Sequence, residues 1–303
     1  MLRSAVLGIA NRKAIRRLAT GGIGRRVALR FVAGETLDDA IEVVRTINAR
    51  GASVSLDHLG ENVTEVAQAK AAAEAYREAI DRISAERLRA NISVKLTQLG
   101  LDLPGDEDVA LIDGVVARAA EAASSVTLDM EDHRYTDRTL DACVRLARAY
   151  PGRIGVAIQS YLKRTPGDLA RLAEADVHVR LCKGAYKEPR AIAFTKRSDV
   201  DAAYARLTNE LLASPVYAML ATHDERLIRH AIKGIETLGR PRDSYEFQML
   251  YGVRRELQQR LIQEGHPVRV YVPFGSQWYA YLMRRIAERP SNVRFFVEAL
   301  ARG

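Results

Sequence analysis

The chain predicts an α/β fold, a (βα)8 TIM-type barrel preceded by an N-terminal helical extension. Three observations predict it. Eight short β-rich runs alternate with helical stretches, and such alternation implies a parallel sheet. Eight units is the number that closes a barrel, and 303 residues is a usual length for one. No Pro/Gly/Ser-rich linker or low-complexity segment divides the chain, and its 48% apolar content is enough for one large core. The alternative is an open doubly wound sheet, which usually has fewer units and places its ligand at a single switch point.

The elements follow in order. Residues 1–45 read as a basic helical segment, with Val6, Ile9, Ala10, Ile15 and Leu18 as its apolar side, and residues 46–303 as the barrel. The β-rich runs are 53–56, 92–96, 126–129, 153–159, 177–181, 217–221, 245–250 and 268–272. Helical patterns cover 63–88, 109–123, 139–149, 169–175, 200–212, 225–238, 254–264 and 277–288, and a last helix closes the chain near 293–300.

The net charge of +8 is unevenly placed. Arg3, Arg12, Lys13, Arg16, Arg17, Arg25, Arg26 and Arg30 precede the first acid, Glu35, and the rest of the chain is neutral. A nucleic-acid binder would carry its basic residues on a working face, so no nucleic-acid partner is expected. An anionic membrane surface is the partner that suits the N-terminus, and packing of this segment against the barrel is the other reading. Cys143 and Cys182 are too few for a disulfide framework or a zinc pattern, and no metal is expected. A reducing, cytoplasmic compartment fits, with peripheral attachment to the inner face of a membrane. No apolar run is long enough to span one. There is no G-x-S-x-G elbow, no Walker loop and no G-x-G-x-x-G after a strand.

In a barrel enzyme the chemistry collects at the C-terminal strand ends. Here these ends are polar: Asp57, His58 and Glu61; Lys95, Thr97 and Gln98; Asp129 and Glu131; Gln159 and Tyr161; Arg180, Lys183 and Tyr186; Thr222, His223 and Asp224; Gln248; Tyr271. Lys95, Arg180 and Lys183 are cationic, and the helix at 277–288 adds Arg284 and Arg285. Such a mouth suits a carboxylate or a phosphate. Glu288 lies three and four residues from that arginine pair and can orient both. Cys182, His58 and His230 read as structural positions, and Trp278 and Tyr279 as helix packing.

Seven segments carry a resemblance. They are SVKLTQLG (93–100), LDMED (128–132), AIQSYLK (157–163), VRLCKGAY (179–186), ATHD (221–224), YEFQMLYGV (245–253) and YVPFGSQWYAYLMRRIAERPSN (271–292). Together, and in this order, they resemble the proline dehydrogenase family in its monofunctional bacterial form. The resemblance implies FAD-dependent oxidation of L-proline to 1-pyrroline-5-carboxylate, with electrons passed to a membrane quinone. It also implies transient contact with a 1-pyrroline-5-carboxylate dehydrogenase.

The family's roles carry over residue by residue. Arg284 and Arg285 look like the pair that grips the substrate carboxylate, with Lys95 as a third cation. Asp129 and Tyr271 resemble the polar substrate side, and Leu250 and Tyr186 the apolar and aromatic wall. Glu61 resembles the acid that gates the site with Arg284. FAD contacts carry over to Gln159, Arg180, Lys183, Gly184, Ala185, Thr222 and His223, with Glu288 and Asn292 nearby, and Arg180 falls on the N5 side of the flavin. Lys187 stands where larger members often have Trp, a departure at one flavin-stacking position. Three other readings stand beside this one. The first is hydroxyproline as substrate, against which the bulk of Tyr271 weighs. The second is a Schiff-base aldolase or isomerase using Lys95 or Lys183. The third is a non-catalytic membrane-surface adaptor.

Overall fold

Eight parallel strands pair in sequence order, and the last returns to the first, closing the barrel. The structure is a computed structural model that describes residues 29–105, 107–279 and 281–283. The strands are β1 (Ser53–His58), β2 (Ala90–Val94), β3 (Val126–Leu128), β4 (Ile154–Gln159), β5 (His178–Cys182), β6 (Ala218–Ala221), β7 (Tyr245–Leu250) and β8 (Val268–Phe274). Helix α1 (Leu37–Ala49) precedes β1. The crossovers carry α2 (Val66–Ala85), α3 (Glu107–Glu121), α4 (Thr136–Ala149), α5 (Thr165–Glu174), α6 (Arg197–Ala213), α7 (Glu225–Leu238) and α8 (Arg255–Gln263). The predicted α/β barrel is thus the observed fold.

Most strands alternate polar and apolar residues, and the alternation decides what lies inside. Val54, Leu56, Ile92, Val94, Val126, Leu128, Val156, Ile158, Val179 and Leu181 join the helices in the apolar core. Their neighbours bond to one another across the barrel interior: Ser55, Asn91, Ser93, Thr127, Arg180, Glu246, Gln248, Arg269 and Tyr271. Most barrels fill this space with branched aliphatic side chains. Here it is hydrogen-bonded and charged, and the apolar core is the annulus between sheet and helices.

Several predicted bounds shift for local reasons. The run placed at 92–96 is the strand Ala90–Val94, because the chain turns at Lys95 into a 3-10 helix, Leu96–Leu99. Helix α2 starts at Val66, since residues 59–65 form the β1–α2 loop. Helix α4 starts three residues early, at Thr136.

Helix α1 is set by a capping box. The Thr36 hydroxyl accepts from the Asp39 amide at 3.1 Å, and the Asp39 carboxylate accepts from the Thr36 amide at 3.2 Å. It buries Ala40, Ile41, Val44 and Ile47 against the barrel, running across position 45. Before it, Phe31, Val32 and Ala33 are buried. Ala33 donates to the Pro273 carbonyl at 2.9 Å, and the Trp278 indole donates to Glu35 at 3.1 Å. The chain entering α1 is therefore tied to the C-terminal end of β8, and Trp278 is a packing residue. Residues 1–28, which hold most of the basic segment, and the predicted helix at 293–300 lie outside the described residues. Residues 278, 279 and 281–283 are helical.

Candidate active site

A cavity of about 910 Å³ opens at the C-terminal ends of the strands. Its floor is a cluster of buried charges. Lys95 Nζ donates to Asp57 at 2.9 Å and to Asp129 at 3.2 Å. The Tyr271 hydroxyl donates to the same Asp129 oxygen at 2.6 Å. Arg180 donates to the other Asp129 oxygen at 2.6 Å, and its guanidinium lies 5.3 Å from the Tyr271 ring centroid. Asp129 thus ties together side chains from β2, β5 and β8.

These contacts set the protonation states. Burial pushes the Asp129 carboxyl up, but Lys95, Arg180 and the hydrogen bonds from Tyr271 and Ser93 outweigh it and hold it below the ordinary carboxylate range. Burial pushes Asp57 up, and Lys95 only partly offsets this. Burial alone would lower Lys95, yet the two aspartates hold it well above the ordinary lysine value. The floor therefore sets two basic side chains against two carboxyl groups. Lys95 is a protonated bridge, which argues against a Schiff-base amine there.

The walls come from successive strand ends. Gln159, at the end of β4, accepts from the Ala185 amide at 3.2 Å and donates to the Glu131 carbonyl at 3.0 Å, so it fixes the loop after β5. In that loop Gly184 has φ +123, and a Cβ there would stand 2.4 Å from the Tyr161 ring, so only glycine fits. Tyr186 completes the wall on this side. Lys183 bridges Asp201 of α6 and Asp224, the N-cap of α7, the latter at 3.3 Å. The Thr222 hydroxyl accepts from the Asp224 amide at 3.1 Å. His223 Nε2 accepts from the Leu250 amide at 2.9 Å, joining the ends of β6 and β7. Leu250, Met249, Met130, Ala157 and Tyr281 supply apolar lining, and Glu61 lines the rim from the loop after β1.

The expected residues that fall within the described region, from Glu61 to Tyr271, thus line one cavity. Arg284, Arg285, Glu288 and Asn292 lie outside the described residues.

Three points of the sequence reading change. Arg180 is not at a strand end but in the middle of β5, 4% exposed, reaching across the interior. Lys95, Arg180 and Lys183 do not form a surplus of positive charge, because each faces carboxylates. Cys182 is half-buried and packs against the apolar core as read, but it also lines the cavity.

Comparison with known proteins decides the family. The sequence profile described as Proline dehydrogenase matches residues 40–298. This chain belongs to the proline dehydrogenase family. A Proline dehydrogenase of Deinococcus radiodurans is 38% identical, over 100% of this chain and 99% of that one. Proline dehydrogenase 1 of Bacillus subtilis is 35% identical over 99% of both. Among solved structures, proline utilization A (PutA) from Bdellovibrio bacteriovorus, inactivated by N-propargylglycine, superposes with a TM-score of 0.81 at 26% identity. The match covers 87% of this chain and 32% of that one, so this chain spans about a third of that larger protein.

Within this proline dehydrogenase barrel the sequence reading named Asp57, Asp129 and Gln248 at the mouth but not their pairing with the cations, and it missed Asp201. Asp57 and Asp129 hold Lys95, Asp201 holds Lys183, and Gln248 orients Arg180. The signal for the interior partners was the period-2 alternation in SVSLDH, ANISV, HVRLC and YEFQML, which puts polar residues on one face of each strand.

Proposed function

We propose that this chain oxidises L-proline to 1-pyrroline-5-carboxylate with FAD as cofactor. One observation carries the reading: residues from all eight strands and the loops after them line a single cavity, in a chain that belongs to the proline dehydrogenase family. The cavity fits the cofactor's chemistry. Its volume is within the ~300–1,000 Å³ of small-molecule sites. Its charged floor and partly apolar walls suit a flat ring carrying a charged tail. Gln159, Arg180, Lys183, Gly184, Ala185, Thr222 and His223 would hold FAD, with Glu288 and Asn292. When bound, FAD supplies the acceptor of a hydride, at N5.

The chain's own residues bind and orient. Arg284 and Arg285 take the substrate carboxylate, since two guanidinium forks fix the angle of the ring. Lys95, Asp129 and Tyr271 form a rigid polar floor, with Tyr186 and Leu250 as the wall. Arg284 and Arg285 add positive charge to the site, which favours the neutral amine that the reaction needs. Glu61 closes the mouth and keeps water out. The electrons leave to a membrane quinone, and the basic N-terminal segment holds the protein peripherally on the anionic inner face. No helix among the described residues is long and apolar enough to cross a membrane.

The test is spectroscopic. Purified protein should show a flavin absorption band that bleaches when L-proline is added without oxygen. A coloured protein that does not bleach rejects proline. A colourless protein that cannot take up FAD rejects the cofactor.

A further inference from the structure

We propose that Glu246 is a positioning residue for Arg180, acting through the side-chain amide of Gln248. The inference rests on the reading of the cavity as a flavin site, with Arg180 against the cofactor.

Glu246 and Gln248 are two apart on β7, so both project into the barrel interior. Gln248 Nε2 donates to Glu246 Oε1 at 2.5 Å, and its amide oxygen accepts from Arg180 Nε at 2.6 Å. An isolated amide can present either end to a neighbour. Here the carboxylate accepts only, so it takes the NH2 end and leaves the oxygen aimed at Arg180. Glu246 is itself held from two sides. Arg269 Nε donates to Oε1 at 2.7 Å, and the Tyr217 hydroxyl donates to Oε2 at 3.2 Å. Arg269 is anchored in turn on the Val54 carbonyl at 2.9 Å and Asn91 at 3.1 Å.

The far end of this relay is the guanidinium. With Nε on Gln248, Arg180 places NH1 on Asp129 and Ser93 and NH2 on Ser55 at 3.3 Å. Its plane is fixed by contacts from four other strands or strand ends. Glu246 and Gln248 are 2% and 3% exposed, and Glu246 is not among the residues that line the cavity. The hydrogen-bonded route from Glu246 to the cavity therefore runs through Gln248, which itself lines it, and on to Arg180. A buried ion pair is weak evidence for stability, since desolvation offsets its attraction, so a positional role accounts better for this one.

Two variants test it. In the paired variant Glu246→Leu/Arg269→Met both buried charges go together, so no uncompensated guanidinium remains. Gln248→Leu cuts the relay and leaves the Glu246–Arg269 pair intact, which keeps the test open if the first variant fails to fold. In folded, FAD-loaded protein we expect the midpoint potential of the bound flavin to move negative, because a displaced Arg180 no longer favours the reduced, more anionic form. A tenfold change in the relative binding of the two redox forms corresponds to ~30 mV. We expect kcat for proline to fall at least tenfold with a smaller change in KM. Combining all three substitutions should add little to either shift. Unchanged potential and unchanged kcat in folded, flavin-bearing variants would overturn the inference alone. A wild-type protein that takes up no FAD would overturn the reading beneath it, and the inference with it.

Discussion

Asp129 shows how one carboxylate organises the floor of the site. It accepts from Lys95, Arg180, Tyr271 and Ser93, and nothing else in the described interior joins these four. Asp129→Asn keeps the shape and removes the charge, leaving Lys95 and Arg180 with Asp57 as their only carboxylate nearby. Breaking a buried pair from one side costs ~3–5 kcal/mol. Denaturant unfolding should show a loss of that order, and a loss under 1 kcal/mol would mean that the cluster relaxes without it. Arg285 makes a different kind of prediction, from the family resemblance. Arg285→Met should raise KM for proline steeply, and steady-state kinetics giving an unchanged KM would remove Arg285 from the carboxylate site.

At the scale of elements, the loop after β1 is docked on the 3-10 turn after β2. Asn62 donates to the Thr97 hydroxyl at 3.3 Å and Val63 to the Thr97 carbonyl at 3.3 Å. Thr97 is held from below by Glu131, through its hydroxyl at 2.6 Å and its amide at 3.2 Å. Burial pushes Glu131 up to about 7, against the lowering effect of the Thr97 bonds. The sign follows from linkage. Between about 4.5 and 7 the folded state keeps a proton that the unfolded state has lost, so stability falls as pH rises through that window. Glu131→Gln cannot ionise and should lose this slope. Unfolding midpoints at acid and alkaline pH check it: the variant should gain on the wild type as pH rises, and parallel profiles would show that Glu131 does not titrate there. The loop carrying Glu61 should tighten or loosen with the same group.

For the whole molecule, the N-terminal chain runs into the barrel beside β8. Residues 31–35 are seated on the end of β8 and belong to the folded body. The basic residues before Arg30 supply nearly all of the excess charge. Under the proposed membrane contact, deleting residues 1–28 should reduce flotation with anionic liposomes. Equal flotation with and without the segment would reject membrane contact. Salt should weaken the binding, since the attraction is between exposed charges.

The sequence alone determined the barrel and the identity of the residues at its mouth. The alternation of β-rich runs and helices is a local pattern, and a barrel needs little more than eight such units of matching length. The motifs at the strand ends are also local, so Lys95, Gln159, Lys183 and Thr222 could be read in place. Only the tertiary structure decided how the charges pair. Asp57, Lys95, Asp129, Arg180 and Tyr271 come from five units spread over more than 200 residues, and they meet because β8 closes on β1. Read along the chain, Lys95, Arg180 and Lys183 promised a positive mouth. Folded, each lies beside its carboxylates, because a buried charge without a partner would cost more than the fold could absorb.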